Sequence, residues 1–468
     1  MAFYIRTTIG TAASAESRGE WNGAMRALIR RLFHMIHGKY GRVLGMVLAG
    51  GKGERLMPLT RYRAKPAVPF AAKYRIIDFA LSNMVNSGLF SIYCLIQFKS
   101  QSLHEHIGKG WQFGSALRGR DFFVNVVPAQ MWDGERWYEG TADAVFQNMH
   151  LVTLFDADRV CIFAADHIYK MDVEQMLAYH MDNKADITVA AYVVPTAEAS
   201  QFGCIATDET GRIIDFVEKP ANPPEIPGRP GYSFVSMGNY IFEREMLEEA
   251  VLSDNEMKES SHDFGRDILP RYYKTNKIMA YDFSTNKLPG NDKPYWKDVG
   301  SIKAYWEAHM DLLKQGSDLT LYNSQWPIRT VSYSDPPGFT YPSEGHSCSV
   351  DACLRAESSR VLGAYVRKSV LARNCVINPG AIVEECIIGQ NVSIGRDCRL
   401  RRVIVDAHNV IPDGTSIGYD PVADAEKYHV DQKSGIVVIG MPQIQLRKKL
   451  QIPGAYERMY APTEDAGF

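Results

Sequence analysis

Short apolar runs recur along the first two thirds of the chain, separated by stretches of helical character. The runs are Val43–Leu48, Ile92–Ile96, Val160–Phe163, Ile187–Val194 and Tyr240–Phe242. Short continuous apolar runs bounded by turn signals are typical of strands buried on both faces. Their alternation with helical segments predicts an α/β domain, Rossmann-like and with a mostly parallel sheet, over residues 43–315.

A second hydrophobic period, of six residues, begins near residue 370. Its main register is Val370, Val376, Ile382, Ile388, Ile394 and Leu400, continued after one step of five by Val405, Ile411 and Ile417. A second register of the same period contains Gly380, Cys386, Val392 and Cys398. This period indicates a hexapeptide parallel β-helix, in which each coil stacks its apolar residues on those of the next. We place the β-helix at residues 346–425.

Three further segments complete the predicted domain organisation. Residues 316–345 are rich in Pro, Gly and Ser and are interpreted as a linker, and residues 426–468 as a C-terminal tail. Residues 1–42 form an N-terminal extension, in which the apolar spacing predicts a short amphipathic helix at Leu28, Leu32 and Met35/Ile36. A disordered extension, a targeting peptide and a basic contact arm are the alternatives for this segment.

Composition narrows the classes of partner. The 468 residues include 52 Lys and Arg and 54 Asp and Glu, for a formal net charge of −2. This balance excludes a chain that is basic overall and coats nucleic acid, although not a local basic patch. No uncharged apolar run approaches about 18 residues, so no membrane-spanning helix is predicted. The eight cysteines form no C-x-x-C pair, which favours a reduced, cytoplasmic compartment.

A glycine-rich loop, Gly50-Gly51-Lys52-Gly53, follows the first apolar run. Such loops let backbone N–H groups approach phosphates, but a plain structural turn is equally common. The loop does not match the Walker A motif, because Gly53 stands where Ser or Thr is required. It does not match the dinucleotide-binding fingerprint either, because Leu56 stands at the position of the third glycine. The loop is nonetheless followed by a cluster of cations, Arg55, Arg61, Arg63 and Lys65. Clustered cations require an anionic counterpart, so the sequence predicts a triphosphate or pyrophosphate ligand.

The loop resembles the signature of the sugar-1-phosphate nucleotidylyltransferases, and the segments after it resemble one branch of that family, the glucose-1-phosphate adenylyltransferases (ADP-glucose pyrophosphorylases). The similar segments keep the family's order from residue 43 to about 420. They are 63–70 (RAKPAVPF), 75–83 (RIIDFALSN), 137–145 (WYEGTADAV), 166–169 (DHIY), 216–220 (FVEKP), 236–240 (SMGNY) and 295–300 (YWKDVG). The resemblance implies that the hexapeptide domain is a left-handed parallel β-helix.

The resemblance also implies a reaction, in which glucose 1-phosphate attacks the α-phosphorus of ATP, ADP-glucose forms for glycogen or α-glucan synthesis, and pyrophosphate leaves. Such chemistry needs positioning and charge neutralisation more than acid–base catalysis. By resemblance, Asp166 and Asp298 hold Mg²⁺, and Arg55 and Lys65 hold the phosphates as catalytic residues. Without the resemblance, either aspartate would more often be a helix cap.

Both substrates have candidate residues by the same resemblance. ATP is expected at Gly50, Gly51, Gly53, Gln130, Tyr138, Gly140 and Thr141. Glucose 1-phosphate is expected at Glu218, Lys219, Ser236, Tyr240, Asp263 and Trp296. The alternatives are core packing for the aromatic residues and a solvated surface pair for Glu218 and Lys219.

Regulation and assembly follow from the resemblance alone. It implies a homotetramer controlled by anionic metabolites, with Arg63 and Arg75 near the effector site. Two positions depart from the family pattern, since Ala165 replaces a glycine and Glu54 replaces Thr or Ser. Three alternative functions stay open at this point: a regulatory subunit of the same fold with little turnover, a nucleotidyltransferase for another base, and a bifunctional enzyme with an acyl-transferring β-helix.

Overall fold

The computed structural model describes residues 39–113, 121–130, 134–290 and 294–442. The predicted helix near Leu28 and most of the C-terminal tail lie outside these residues. The chain divides into two compact units. Among the described residues, the first unit contains 39–51, 76–296 and 320–331, and the second contains 52–75, 297–319 and 332–442.

Thirteen strands lie in the described chain up to residue 298. They are β1 (Val43–Leu48), β2 (Pro69–Phe70), β3 (Tyr74–Arg75), β4 (Ser91–Ile96), β5 (Phe123–Pro128), β6 (Arg159–Ala164), β7 (His167–Tyr169), β8 (Ile187–Pro195), β9 (Gly203–Thr207), β10 (Ile213–Glu218), β11 (Tyr232–Glu243), β12 (Ile278–Asp282) and β13 (Trp296–Asp298). The five apolar runs fall within β1, β4, β6, β8 and β11.

The helices of the described chain are α1 (Ile76–Asn86), α2 (Gln101–Gly110), α3 (Thr141–Phe146), α4 (Met149–Phe155), α5 (Val173–Asp182), α6 (Thr196–Ala199), α7 (Arg244–Asn255), α8 (Leu269–Tyr272), α9 (Ile302–Asp311) and α10 (Pro421–Lys427). Short 3₁₀ turns lie at Glu54–Leu56, Lys65–Ala67 and Phe283–Thr285, and a π-helical turn lies at Phe264–Ile268. Within the described residues, none of the helices has the length and apolar character needed to cross a membrane.

The first unit is built on one nine-stranded sheet. Strand β1 lies between β4 and β6 and is parallel to both, and β5 extends the parallel part beyond β4. Strand β11 pairs antiparallel with β6, β8 and β9. The predicted α/β class is confirmed, and the sheet is mixed. The parallel strands β1, β5 and β6 end at the same edge, where open α/β sheets bind ligands. The glycine loop, Gln130 and Asp166 follow these three strand ends.

The long strand β11 carries an irregularity that shapes a second part of this unit. Its register with β8 shifts between Ser236 and Tyr240. Gly238 lies inside the shift with φ +70, a backbone conformation that glycine adopts without strain. The Ser236 hydroxyl accepts a hydrogen bond from the Gly238 N–H at 3.2 Å. The bulge therefore sets the directions of Ser236 and Tyr240, the two β11 residues predicted to bind sugar.

The second unit contains a parallel β-helix of 15 short strands and one further strand. They are β14 (Phe339–Tyr341), β15 (Ser349–Asp351), β16 (Leu354–Arg355), β17 (Arg360–Leu362), β18 (Tyr365–Arg367), β19 (Val370–Leu371), β20 (Val376–Ile377), β21 (Ile382–Glu384), β22 (Ile387–Ile388), β23 (Ser393–Ile394), β24 (Arg399–Arg401), β25 (Val403–Val405), β26 (Val410–Ile411), β27 (Ser416–Ile417), β28 (His429–Val430) and β29 (Val437–Ile439). They form three faces, ordered β14-β17-β20-β23-β26, β15-β18-β21-β24-β27 and β16-β19-β22-β25-β29-β28. The further strand is β28, which pairs antiparallel with β29.

The left-handed hexapeptide β-helix that we predicted is confirmed as a fold class, while its interior register differs in part from the prediction. The fully buried residues include Leu371, Ile377 and Val383, each one position after the predicted Val370, Val376 and Ile382. From Ile388 onward the predicted residues are the buried ones. The reason is that a second step of five, from Val383 to Ile388, was missed. Similarly, Ala381 is fully buried where Gly380 was predicted.

The bounds of the coil also differ from the predicted interval. The first strand begins at Phe339, inside the predicted linker, and the last ends at Ile439, inside the predicted tail. Both strands pair with their neighbours in the parallel ladder, β14 with β17 and β25 with β29. The tail prediction was drawn too early because α10 interrupts the six-residue pattern before β28 and β29 resume the sheet.

The corrected register predicts unequal costs for two adjacent substitutions. Ile377→Ala removes a fully buried side chain and is expected to lower the free energy of unfolding by about 2–4 kcal/mol, from lost transfer energy and a cavity. Val376→Ala removes a half-buried one and should cost less than about 1 kcal/mol. Urea unfolding followed by circular dichroism measures both, and equal costs would contradict the register.

Candidate active site

The three glycines of the glycine loop differ in whether the fold requires a glycine: Gly53 has to be glycine, whereas Gly50 and Gly51 have room for a side chain. A Cβ at Gly51 would meet no atom within 4 Å, and one at Gly50 would meet only Gln97 at ordinary contact distance. Gly53 has φ +66, and its Cβ would lie 2.9 Å from the Lys65 Cβ. The Thr60 hydroxyl donates to the Gly53 carbonyl at 2.8 Å, which closes the loop. Gly53 is thus explained by the fold, whereas Gly50 and Gly51 are not.

Two of the predicted catalytic cations lie beside a predicted metal-binding carboxylate within the second unit. The Lys65 Nζ lies 3.1 Å from Asp298 Oδ1, and the Arg55 Nη2 lies 3.9 Å from Asp298 Oδ2. Lys65 is 6% exposed, so its ammonium depends on this carboxylate for compensation. Arg55 by contrast is mostly exposed. A Cβ at Gly300 would lie 2.8 Å from the Arg55 guanidinium, so a larger residue there would displace the end of this exposed side chain.

The second predicted metal ligand, Asp166, follows strand β6 in the first unit. The backbone before it is fixed, since Ala164 N–H donates to the Asn239 side chain and Ala165 N–H donates to the Leu48 carbonyl, both at 3.1 Å. His167 Nε2 lies 3.3 Å from Asp166 Oδ1. The side chain of Asp166 is 38% exposed, so its carboxylate is accessible to a ligand. The Ala165 side chain that replaces the family's glycine is fully buried.

The segment predicted to contact adenine is held to the sheet by side-chain hydrogen bonds. The Gln97 amide bonds both backbone groups of Tyr138, accepting from its N–H at 2.7 Å and donating to its carbonyl at 3.2 Å. The Tyr138 hydroxyl accepts from Asn148 at 2.9 Å, and burial raises the pKa of this phenol. Asp143 accepts from the Glu139 N–H at 2.9 Å and pairs with Arg136. Gln130, in contrast, is exposed.

Thr141 and Asp263 are in direct contact, although they were predicted to serve different substrates. The Thr141 hydroxyl donates to Asp263 Oδ2 and accepts from the Phe264 N–H, both at 3.0 Å. A Cβ at Gly140 would lie 2.2 Å from the His262 carbonyl oxygen, so no larger residue fits there. The structure therefore joins the two predicted pockets of the first unit through one hydrogen-bonded contact.

The remaining predicted sugar-binding residues are divided between an exposed pair and a buried aromatic group. Lys219 donates to Glu218 at 2.8 Å, and its backbone, with φ +50, is fixed by an N–H bond to the Phe202 carbonyl. Tyr240 is nearly buried. Burial raises the pKa of its phenol, and the charge of Asp263 acts in the same direction.

Trp296 belongs to an aromatic cluster in the first unit. Its ring centroid lies 5.2 Å from those of His167 and Tyr192 and 5.8 Å from that of Phe202. The ring is 7% exposed, and its indole N–H is buried without a hydrogen-bond partner among the described residues. Core packing accounts for the ring, while the buried N–H is available to a ligand oxygen.

Both parts of the chain are similar to known protein families. A nucleotidyl transferase model matches residues 44–315, and a model described as GlmU-like, C-terminal hexapeptide matches residues 335–439. The chain is 48% identical over 406 residues to a glucose-1-phosphate adenylyltransferase of Deinococcus radiodurans, covering 85% of this chain and 98% of the relative. It is 50% identical over 398 residues to that of Aliivibrio fischeri and 49% identical over 399 residues to glucose-1-phosphate adenylyltransferase 1 of Vibrio parahaemolyticus, each covering 85% of this chain and 97% of the relative. The chain belongs to the glucose-1-phosphate adenylyltransferase family.

The family's two domain models cover the candidate residues completely. Those predicted for catalysis, metal and substrates all fall within 44–315, and the β-helix falls within 335–439. The sequence motifs identify neither Gln97 nor His262, which support the Tyr138–Thr141 segment. Supporting residues of this kind lie far from their partners in the chain, and no local motif marks them.

The two arginines predicted for effector binding occupy different environments in the second unit. Arg63 is 8% exposed, donates to the Leu59 carbonyl at 3.0 Å and forms a buried ion pair with Asp406. Arg75 lies in the short strand β3, paired with Pro69, and is half-buried. Arg63 is therefore already engaged with a carboxylate of the β-helix, and any anion at this position competes with Asp406.

The different demands on Gly53 and Gly51 yield a stability prediction. Gly53→Ala imposes a left-handed conformation on alanine and a contact with the Lys65 Cβ, so it should lower the free energy of unfolding by about 1–3 kcal/mol. Gly51→Ala should change it by less than about 0.5 kcal/mol. Urea denaturation of the two variants measures this difference, and a destabilised Gly51→Ala would contradict our account of the loop.

Proposed function

We propose that this protein is a glucose-1-phosphate adenylyltransferase, which forms ADP-glucose and pyrophosphate from ATP and glucose 1-phosphate. The observation that carries the proposal is its similarity to adenylyltransferases along 97–98% of their length. The ion cluster of Lys65, Arg55 and Asp298 supports it, because these groups are suited to polyphosphate chemistry.

The chain's cations account for most of the chemistry that we propose. The phosphate of glucose 1-phosphate is already anionic, so its attack on the α-phosphorus requires alignment and charge neutralisation and little proton transfer. Lys65 and Arg55 bind the triphosphate, and as the bond to the β-phosphate breaks they stabilise the charge that accumulates on the leaving pyrophosphate. The open space around Gly50 and Gly51 lets backbone N–H groups approach the same phosphates.

Asp166 and Asp298 are the proposed ligands of a divalent cation, which we expect to be Mg²⁺. Both supply hard carboxylate oxygens, as Mg²⁺ prefers, and both side chains are accessible, at 38% and 22% exposure. When bound, the cation supplies further neutralisation of the phosphate charge. The backbone bonds of Ala164 and Ala165 hold Asp166 in place before any ligand arrives.

The sugar phosphate is proposed to bind between charged and aromatic groups of the first unit. Lys219 binds its phosphate. The glucose hydroxyls exchange hydrogen bonds with the polar side chains of Glu218, Ser236, Tyr240 and Asp263. Trp296 packs beside the sugar and offers its buried indole N–H, which has no partner within the described part of the chain. Gln130, Tyr138, Gly140 and Thr141 are proposed to line the adenine pocket.

Assembly and regulation belong to the same proposal. We infer a cytoplasmic homotetramer controlled by anionic metabolites, with Arg63 and Arg75 at the effector site. The β-helix supports assembly because its first strands, such as β14 with Phe339 and Tyr341 half exposed, present an edge at the end of the coil. An effector anion at Arg63 competes with the Asp406 carboxylate, so binding there requires this ion pair to open.

Pyrophosphate release tests the proposed activity. Purified protein is incubated with glucose 1-phosphate and Mg²⁺, separately with ATP, UTP, dTTP and GTP, and fructose 6-phosphate, fructose 1,6-bisphosphate and pyruvate are added as trial activators. We expect release with ATP at least about tenfold faster than with the other nucleotides, and a loss of about 10²-fold or more in Asp166→Asn.

The control for this test is Asp182→Asn, which makes the same chemical change at an exposed position on helix α5 and should retain full activity. Preference for another nucleotide would keep the reaction class but reject the adenylyl assignment. Absence of release with every nucleotide and activator would favour the regulatory-subunit alternative.

A further inference from the structure

His262 lies directly before Asp263 and contacts the segment proposed to bind adenine. It is 9% exposed and has φ +53. A left-handed backbone is uncommon for a residue other than glycine, and surrounding contacts must compensate its cost. The histidine is therefore held in this conformation by its neighbours, and these neighbours indicate what it supports.

The imidazole spans two carboxylates on different elements. Its Nδ1 lies 2.8 Å from Asp254 Oδ2 on helix α7, and its Nε2 lies 3.7 Å from Glu139 Oε2. Asp254 is 1% exposed and also accepts from the Ser260 hydroxyl and from Arg271. Glu139 in turn lies 3.4 Å from Arg136. The Nδ1 hydrogen bond fixes the ring on a buried carboxylate, and the other edge of the ring lies beside Glu139 of the adenine segment without a hydrogen bond to it.

The backbone of His262 makes a second connection to the same segment. Its carbonyl accepts from the Ala142 N–H at 2.8 Å. The same oxygen would lie 2.2 Å from a Cβ at Gly140, so the segment passes against the histidine with no room for a side chain. Gly140, a proposed ATP contact, and Ala142 therefore both lie against the His262 carbonyl, on either side of Thr141.

We infer that His262 is a positioning residue for ATP, which fixes the Tyr138–Thr141 segment without contacting the nucleotide itself. This inference rests on the proposed adenylyltransferase function. Asp263, the adjacent sugar contact, has anchors of its own: its carboxylate accepts from Gly265 N–H at 2.9 Å and Arg266 N–H at 3.1 Å, and its N–H donates to Asp267. Loss of the imidazole therefore affects the ATP pocket more than the sugar pocket.

Steady-state kinetics of two substitutions test this inference. His262→Ala removes both imidazole contacts and should raise the KM for ATP about tenfold, while the KM for glucose 1-phosphate and kcat change less than about threefold. His262→Asn tolerates the left-handed backbone and retains a donor for Asp254 but cannot reach Glu139, so it should restore the KM for ATP to within about threefold. His104→Asn, at an exposed position on helix α2, is the matched control and should match the wild type.

The outcomes separate the inference from the proposed function. An unchanged KM for ATP in both variants would overturn the positioning role, as would equal increases in both KM values, which a merely structural role produces. If His262→Ala fails to fold, the same criteria apply to His262→Asn. In that variant, the inference is supported if the KM for ATP rises about two- to threefold while the KM for glucose 1-phosphate is unchanged. A wild-type protein that forms no ADP-glucose would reject the function itself.

Discussion

The ion pair of Lys65 and Asp298 is the interaction on which the proposed phosphate-binding part of the second unit depends. An ammonium at 6% exposure is unfavourable without a charged partner, and the Asp298 carboxylate at 3.1 Å provides it. The loop that carries Lys65 is folded around this contact, with Gly53 packed against the lysine and closed by the Thr60 hydroxyl. Arg63, two residues before the lysine, forms a second buried pair with Asp406. The cations are therefore in place before any phosphate binds, which is the condition for electrostatic catalysis.

The proposed substrate-binding segments of the first unit are held in place by hydrogen bonds. These bonds join segments distant in sequence, as in the pairing of Gln97 with the Tyr138 backbone and of Thr141 with Asp263. Each bond uses a polar side chain to satisfy the backbone or side chain of another loop, so that few of these groups rely on water. The proposed catalytic residues are thus supported by residues with no chemical role of their own.

The fold was largely predictable from the sequence because its signals are local and repetitive. Apolar runs such as Val43–Leu48 became the central strands, and the six-residue period identified the β-helix. The interior register was not fully predictable. Val376 and Ile377 are adjacent and both apolar, so the pattern does not distinguish them, and only the step of five at Ile388 makes Ile377 the buried one.

The candidate site was predictable only as far as motifs extend. Resemblance identified Lys65 and Asp298, and the structure brings them together. Resemblance could not identify the support of Gly140 by His262, because the two segments lie far apart in the chain. The neighbouring residues Thr141 and Asp263, for example, are 122 residues apart. Resemblance also could not show that Arg63 is already paired with Asp406, since exposure and pairing depend on the folded chain.

Calorimetric titration of Mg·ATP into the wild-type protein and into Lys65→Met, without glucose 1-phosphate, tests the central role of the buried ammonium most directly. Lys258→Met, at an exposed position, is the matched control. Because we propose that Lys65 binds phosphate, its removal should weaken ATP binding about 10- to 100-fold, with the control unchanged. Wild-type affinity in a folded Lys65→Met protein would show that the pair with Asp298 is structural only and would contradict the account.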